Sequence, residues 1–150
     1  MEILRTDSTN LDFLMLVKLL DAELAERDGE DHEFYNSYNN VDTIKNAIVC
    51  KEEGIPIGCG GIKELEPGSM EVKRMYVLPE YRGKGIASII LRELEVWAKE
   101  LGYQRCILET GKRQPEAIRL YEKNDYSRIV NYGPYQGIEN SVCFEKRLNK

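Results

Sequence analysis

The segment Val77-Leu78-Pro79-Glu80-Tyr81-Arg82-Gly83-Lys84-Gly85-Ile86-Ala87 carries a strand into a loop and the loop into a helix. An apolar run ends at Pro79, two glycines follow one residue apart, and a long amphipathic stretch begins at Ile86. Glycines lack Cβ, so a loop built on them can turn several backbone N–H groups inward at no steric cost. The first turn of a helix leaves its N–H groups unpaired and carries the positive end of the helix dipole. Loop and helix start together make an anion cradle, with Arg82 and Lys84 supplying charge at its lip. The ligand expected there is a phosphate, and a pyrophosphate before other phosphates.

Two familiar nucleotide loops do not fit. A Walker A loop needs four residues between its glycines and a Lys-Ser/Thr pair after them. A dinucleotide fingerprint would place its third glycine at Ser88. The spacing that fits is Arg/Gln-x-x-Gly-x-Gly/Ala, as Arg82, Gly85 and Ala87. Here the chain resembles the GNAT superfamily of N-acetyltransferases, in which this loop holds the pyrophosphate of acetyl-coenzyme A. The bland alternative is an ordinary glycine-rich turn between a strand and a helix.

The pattern continues on both sides of this segment. Residues 1–4 read as a first strand, and Ser8 or Thr9 as the cap of a helix with its stripe at Leu11, Leu14, Met15, Lys18 and Leu19. Residues 28–40 read as an irregular or short helical segment. Residues 46–50 and 55–62 form a hairpin turned at Glu53-Gly54, and 70–78 form the strand entering the glycine loop. The next helix sets Ile86, Ile89, Ile90, Leu94, Trp97 and Leu101 on one stripe and stops at Gly102. Residues 104–109 read as a strand, and Pro115 opens a further helix. Residues 126–130 and 141–148 close the chain as strands around a loop at 132–137. No repeat or linker divides the 150 residues, so one domain over 1–150 is expected. Its class is α/β, a mixed and mostly antiparallel sheet flanked by helices, and this order resembles the GNAT fold over essentially the whole chain.

The resemblance implies a chemistry. Making an amide from a thioester needs a held thioester, a neutral amine and a proton for the departing thiolate. An alkylamine has a pKa near ~10.4, so a group must accept its proton at neutral pH. Glu71, on the strand before the loop, is the candidate base, as a glutamate there is in the histone-type branch of the family. The other reading pairs Glu71 with Lys73 or Arg74 in a strand ladder. Glu71, Lys73, Met75 and Val77 share one face of the strand unless a bulge intervenes.

Tyr121 is the candidate acid. The string Gln114-Pro115-Glu116-Ala117-Ile118-Arg119-Leu120-Tyr121-Glu122-Lys123-Asn124-Asp125-Tyr126 resembles the family's second signature, in which the tyrosine lies beside the sulfur of coenzyme A. It departs from that pattern at Asn124-Asp125, where glycine is usual before the aromatic residue; Asn and Asp tolerate the left-handed conformation best among the rest. A tyrosine on an apolar helical face is also ordinary core filler. The family further implies cofactor contacts along residues 82–88 (Arg82, Gly83, Lys84, Gly85, Ile86, Ala87 and Ser88), at Gln114 and Ala117, and through the backbone of Tyr76 and Val77. Family topology sets His32, Tyr35, Tyr38 and Asn39 on one side of the acceptor groove, and Tyr132 and Tyr135 on the other.

Composition narrows the partners. The net charge is −5 and the pI about 5.1, which disfavours a general nucleic-acid surface. No apolar run approaches the ~20 residues of a membrane helix, and the N-terminus lacks a signal-peptide core. Cys50, Cys59, Cys106 and Cys143 show no ligand spacing, so no metal is expected and a reduced, cytoplasmic setting is the simpler reading. A cysteine nucleophile paired with His32 stays open. The expected partner is a small-molecule amine or a peptide amine, with a homodimer as the self-association considered. A non-catalytic coenzyme A sensor and a protein lysine or N-terminal acetyltransferase are the alternatives.

Overall fold

Two adjacent residues with positive φ, Glu53 at 51° and Gly54 at 80°, reverse the chain between its second and third strands. This pair of signs belongs to the primed turns whose twist suits a tight hairpin. The computed structural model describes residues 1–28 and 44–148. Within them run β1 (Glu2–Thr6), α1 (Leu11–Asp28), β2 (Asn46–Glu52), β3 (Ile55–Glu66), β4 (Ser69–Val77), α2 (Ile86–Glu100), β5 (Arg105–Gly111), α3 (Pro115–Lys123), β6 (Ser127–Ile129) and β7 (Ser141–Arg147). The seven strands form one sheet in the order β1-β2-β3-β4-β5-β7-β6. Neighbours are antiparallel except β4 and β5, which are parallel. The segment read at 28–40 falls, beyond the end of α1, outside the described residues.

Helices cover both faces. α2 and α3 lie over Ile57, Ile62, Val72, Val77, Leu108 and Phe144. On α2 the expected stripe is buried at Ile86, Ile90 and Leu94 and is joined by Leu91 and Ala98, whereas Leu101 is 48% exposed beyond the helix end. α1 lies on the other face over Ala47, Val49, Cys59 and Tyr76. Two expectations for α1 fail. Its cap is Asn10, whose Oδ1 accepts from the Phe13 N–H at 2.9 Å, while Thr9 is bound by Asp7. The buried stripe is Phe13, Leu16, Val17 and Leu20, and Leu11, Met15 and Leu19 are exposed. α1 is apolar on more than one side, so helical spacing fits two stripes, and the sheet takes the one that brings the Phe13 ring into its core.

β4 departs from regular alternation. Cys59 pairs with Tyr76 and Gly61 with Lys73, so Arg74 and Met75 together oppose Gly60. This is a β-bulge, an extra residue that bends the strand, and Arg74 takes φ 60° within it. The single face expected for Glu71, Lys73, Met75 and Val77 is therefore broken. Glu71 and Lys73 point away from Met70 and Val72, on the side where Arg74 and Tyr76 meet α1, whereas Met75 and Val77 pack under α2. The Arg74 side chain, 1% exposed, is held by the Asp21 carboxylate and by the Val17 carbonyl at 3.3 Å. Ladder pairing between β4 and β5 covers Ser69↔Arg105, Met70↔Cys106 and Glu71↔Ile107 and then stops. Beyond Glu71 the two strands part.

Opposite the bulge, α2 sits directly on the backbone of β3. A Cβ at Gly60 would lie 2.5 Å from Met75 Sδ and 3.0 Å from both Ile90 Cγ2 and Leu94 Cδ1. Ile90 and Leu94 are fully buried and cannot retreat without opening the core. Gly60→Val is therefore expected to destabilise the protein by about 1–3 kcal/mol, read from the urea midpoint. An unchanged midpoint would mean that α2 can lift from the sheet.

Candidate active site

The parting of β4 and β5 opens a cavity of about 600 Å³, in the size range of small-molecule sites. Its walls are β4 from Glu71 to Val77, the loop into α2, the end of β5 at Glu109, Thr110 and Gly111, one side of α3, and Leu20, Glu23 and Leu24 of α1.

At one end is the glycine loop. Gly83 has φ 79° and Gly85 φ 82°, values at which a side chain is strained. A Cβ at either would touch nothing within 4 Å, so backbone conformation rather than space calls for glycine. α2 begins at Ile86 with no side-chain cap, and its first N–H groups have no acceptor within the helix. Ile86, Ala87 and Ser88 line the cavity there. Asn124 Nδ2 donates to Ser88 Oγ at 3.1 Å and ties α2 to the end of α3. Asp125 takes φ 71° where the family pattern has glycine, so the turn into Tyr126 is kept.

The charges at the lip differ from the simple expectation. Lys84 is not among the residues that line the cavity; its Nζ lies 5.3 Å over the Tyr81 ring. Arg82 lines the cavity, but its Nε donates to the Val77 carbonyl and its Nη2 to Glu23 Oε1, both at 2.8 Å. Its guanidinium thus joins β4 to α1, and the Val77 carbonyl is already an acceptor.

At the other end is Glu71, 4% exposed. Its Oε2 accepts from Tyr132 Oη at 2.6 Å, and its Oε1 lies 3.7 Å from Lys73 Nζ. Glu71 is therefore paired along its own strand and also on the cavity wall. Burial lowers the Lys73 pKa, with the Glu71 charge acting the other way. Burial and then the Glu71 charge hold the Tyr132 phenol protonated. Tyr132 stands behind Glu71, edge-on to Tyr135 at 5.7 Å, and Tyr135 itself lines the cavity.

Tyr121 is 6% exposed. Its ring packs edge-on to Tyr126 at 5.7 Å and tilted to Phe144 at 6.0 Å. It lies on the cavity wall with Gln114 and Ala117. Burial, and then the charge of Glu109, raise its pKa. All four cysteines are free and buried; burial pushes the thiols of Cys59 and Cys106 up to about 12. The cavity thus brings together Glu71, Tyr76, Val77, Arg82, Gly83, Gly85, Ile86, Ala87, Ser88, Gln114, Ala117, Tyr121 and Tyr135. His32, Tyr35, Tyr38 and Asn39 lie outside the described residues. Glu109 and Glu23 were not anticipated. Glu109 ends an apolar run and reads in sequence as a strand terminus, while Glu23 is one of several acidic residues late in α1.

A mixed sheet split between two parallel strands, with an uncapped helix start in the split, makes an α/β domain with its cavity in the split. The family model described as the acetyltransferase (GNAT) family matches residues 13–126, and the chain belongs to that family. It is 37% identical over 102 residues to an IAA acetyltransferase of Azospirillum brasilense, covering 67% of this chain and 67% of that protein. It is 40% identical over 84 residues to an uncharacterised N-acetyltransferase of Escherichia coli K12, covering 54% of this chain and 50% of the relative. The match thus spans half to two thirds of these relatives' lengths. A Klebsiella pneumoniae protein named as an acyl-CoA N-acyltransferase, 32% identical, superposes with a TM-score of 0.83 over 99% of this chain and 97% of that one. The PaiA N-acetyltransferase of Thermoplasma acidophilum, solved with coenzyme A, shares the fold at a TM-score of 0.67 and 20% identity, over 98% of this chain and 99% of that one.

The Tyr132 hydroxyl is the donor that meets the buried Glu71 oxygen. Tyr132→Phe removes it with little change in shape and is expected to cost about 1–3 kcal/mol in urea unfolding. A loss below about 0.5 kcal/mol would mean that Glu71 finds another donor at once.

Proposed function

We propose that this protein moves an acetyl group from acetyl-CoA to the primary amine of a small acceptor, by direct attack in a ternary complex. The observation that carries the reading is the single cleft with an uncapped helix start and glycine loop at one end and Glu71 and Tyr121 on its walls. Acetyl-CoA supplies the activated thioester. In the 82–88 loop the backbone N–H groups beyond Arg82, whose own N–H donates to the Pro79 carbonyl, suit its pyrophosphate. The edge of β4 beyond Glu71 has no strand beside it among the described residues. In this reading its backbone around Tyr76 receives the extended arm of the cofactor, with Gln114 and Ala117 as the facing wall.

Glu71 accepts the proton of the acceptor amine, directly or through a water. Tyr121 meets the departing sulfur. Its raised pKa keeps the phenol protonated throughout the neutral range, so it acts first as a hydrogen-bond donor to the developing thiolate and then as its proton source. A small acceptor is favoured over a protein chain because the cleft is narrowed on two sides. Tyr135 lines it from the loop before β7, and α1 is tied across it by Glu23–Arg82 and Arg27–Glu116.

Acetyl-CoA at a hundredfold over its Kd is expected to stabilise the protein by about 2.7 kcal/mol, a rise in Tm of about 2–8 °C. Gly85→Val, strained at φ 82°, should lose this shift. No shift in the wild type would sink the cofactor assignment.

Tyr121→Phe separates chemistry from packing. The ring keeps its place, so stability should change by less than about 1.5 kcal/mol and the acetyl-CoA Kd should hardly move. Thiol release with an accepted amine should fall by about 10²–10⁴-fold. Turnover within twofold of wild type would return Tyr121 to the role of core filler.

A further inference from the structure

β5 brings a second carboxylate to the cleft. Glu109 lies two residues beyond Ile107, and Ile107 is the residue paired with Glu71 across the parallel ladder. Cys106 and Leu108 pack under α2 and α3, so alternation turns Glu109 to the opposite face, the one that carries Glu71, Lys73 and Tyr132. Its partner on β7 is Cys143, which packs with Tyr135 on that same face. One strand spacing across and two residues along put the Cα atoms of Glu71 and Glu109 roughly 8 Å apart. Both line the cavity.

The two carboxylates are not equivalent. Glu71 accepts from the Tyr132 hydroxyl, and the charges of both carboxylates act on Lys73. Glu109 is the one whose charge acts on the Tyr121 phenol, so it lies nearer the group that meets the sulfur. Among the described residues, the groups on this face are Glu71 and Lys73 from β4, Cys143 from β7, and Tyr132 and Tyr135 from the loop before β7, while Tyr121 reaches the cleft from the α3 side. Among these described residues on this face, two carboxylates stand against one lysine, a net negative set.

Resting on the acetyl-transfer reading above, we propose that Glu109 is the acceptor-binding residue, docking the acceptor as a small primary alkylammonium ion and disfavouring amines that carry a carboxylate. The docked ammonium then gives its proton to Glu71 and its nitrogen attacks the thioester carbon. The C–N bond forms, the C–S bond breaks, and the thiolate takes a proton from Tyr121, which is restored from solvent. The second nitrogen proton is released, so ammonium and thioester give amide, thiol and one proton.

The test titrates n-butylamine and 4-aminobutyrate into the coenzyme A-saturated wild type, Glu109→Gln and Glu109→Asp by calorimetry, and follows thiol release from acetyl-CoA with the same amines. The wild type should bind n-butylamine at least about tenfold more tightly than 4-aminobutyrate, as expected for a charge-assisted contact. Glu109→Gln should lose that preference and raise the n-butylamine KM by about tenfold or more, with kcat and the acetyl-CoA Kd within threefold of wild type. Glu109→Asp should recover part of the preference, and Glu71→Gln should lower kcat instead. Equal binding of the two amines by the wild type, or an unchanged preference in Glu109→Gln, overturns the assignment. If Glu109→Gln does not fold, the wild-type preference and Glu109→Asp still decide it. A wild type that binds neither acetyl-CoA nor coenzyme A overturns the acetyl-transfer reading itself, whereas coenzyme A binding without amine preference overturns only the role of Glu109.

Discussion

The cleft depends on one extra residue in β4. Arg74, at φ 60°, lets Arg74 and Met75 together oppose Gly60. A non-glycine residue in that region costs of order 1–3 kcal/mol and persists only where its surroundings hold it. Here α1 does so, through Asp21 and the Val17 carbonyl on the buried guanidinium. The bulge bends β4 away from β5, which is why their ladder ends at Glu71↔Ile107. Without it β4 would offer no free edge and the sheet would have no split to receive a ligand. The same bulge resets alternation, turning Lys73 and Arg74 to one side and sending Met75 and Val77 under α2.

The cleft has two ends of different character because two kinds of polar group reach it. At the loop end the groups are backbone N–H donors, fixed by the left-handed glycines and the uncapped start of α2. These do not ionise, and they already point outward from the first turn of the helix. At the strand end the groups are side chains, Glu71 and Tyr132 among them, hydrogen-bonded at short distance in a buried setting. α1 adds ion pairs to both flanks, Glu23 with Arg82 and Arg27 with Glu116. Their side chains are partly exposed, so each contributes only about 0–1 kcal/mol. Their larger effect is geometric, since they fix where α1 lies over the opening.

Much of the fold was legible because its signals are local. The Glu53-Gly54 turn and the glycine pair before Ile86 sit at positive φ, which few residues take, Pro115 has its φ fixed for a helix start, and each lies where expected. α1 was misread for the opposite reason. Its apolar residues fit helical spacing on two sides, and only the sheet could choose Phe13, Leu16, Val17 and Leu20 over Leu11, Met15 and Leu19. Glu95 makes the same point within α2. It is a carboxylate on the buried side of the helix, and it is satisfied by Tyr126 Oη and Lys146 Nζ, both at 2.9 Å and both distant in sequence.

By itself, the order of residues determined the glycine loop, the strand and helix around it, the family resemblance and the choice of Glu71 and Tyr121 as candidate groups. These follow from short-range rules: which residues tolerate positive φ, which start or stop a helix, and which spacing repeats. Only the tertiary structure decided where the charges point. It gave Arg82 to Val77 and Glu23, set Tyr132 on Glu71, and brought Glu109 to the same face as Glu71. Apart from Arg82 on the Val77 carbonyl, those contacts join residues far apart in the chain, around a bulge whose position no local pattern announces. Alternation along one strand cannot see an extra residue until the neighbouring strand counts it.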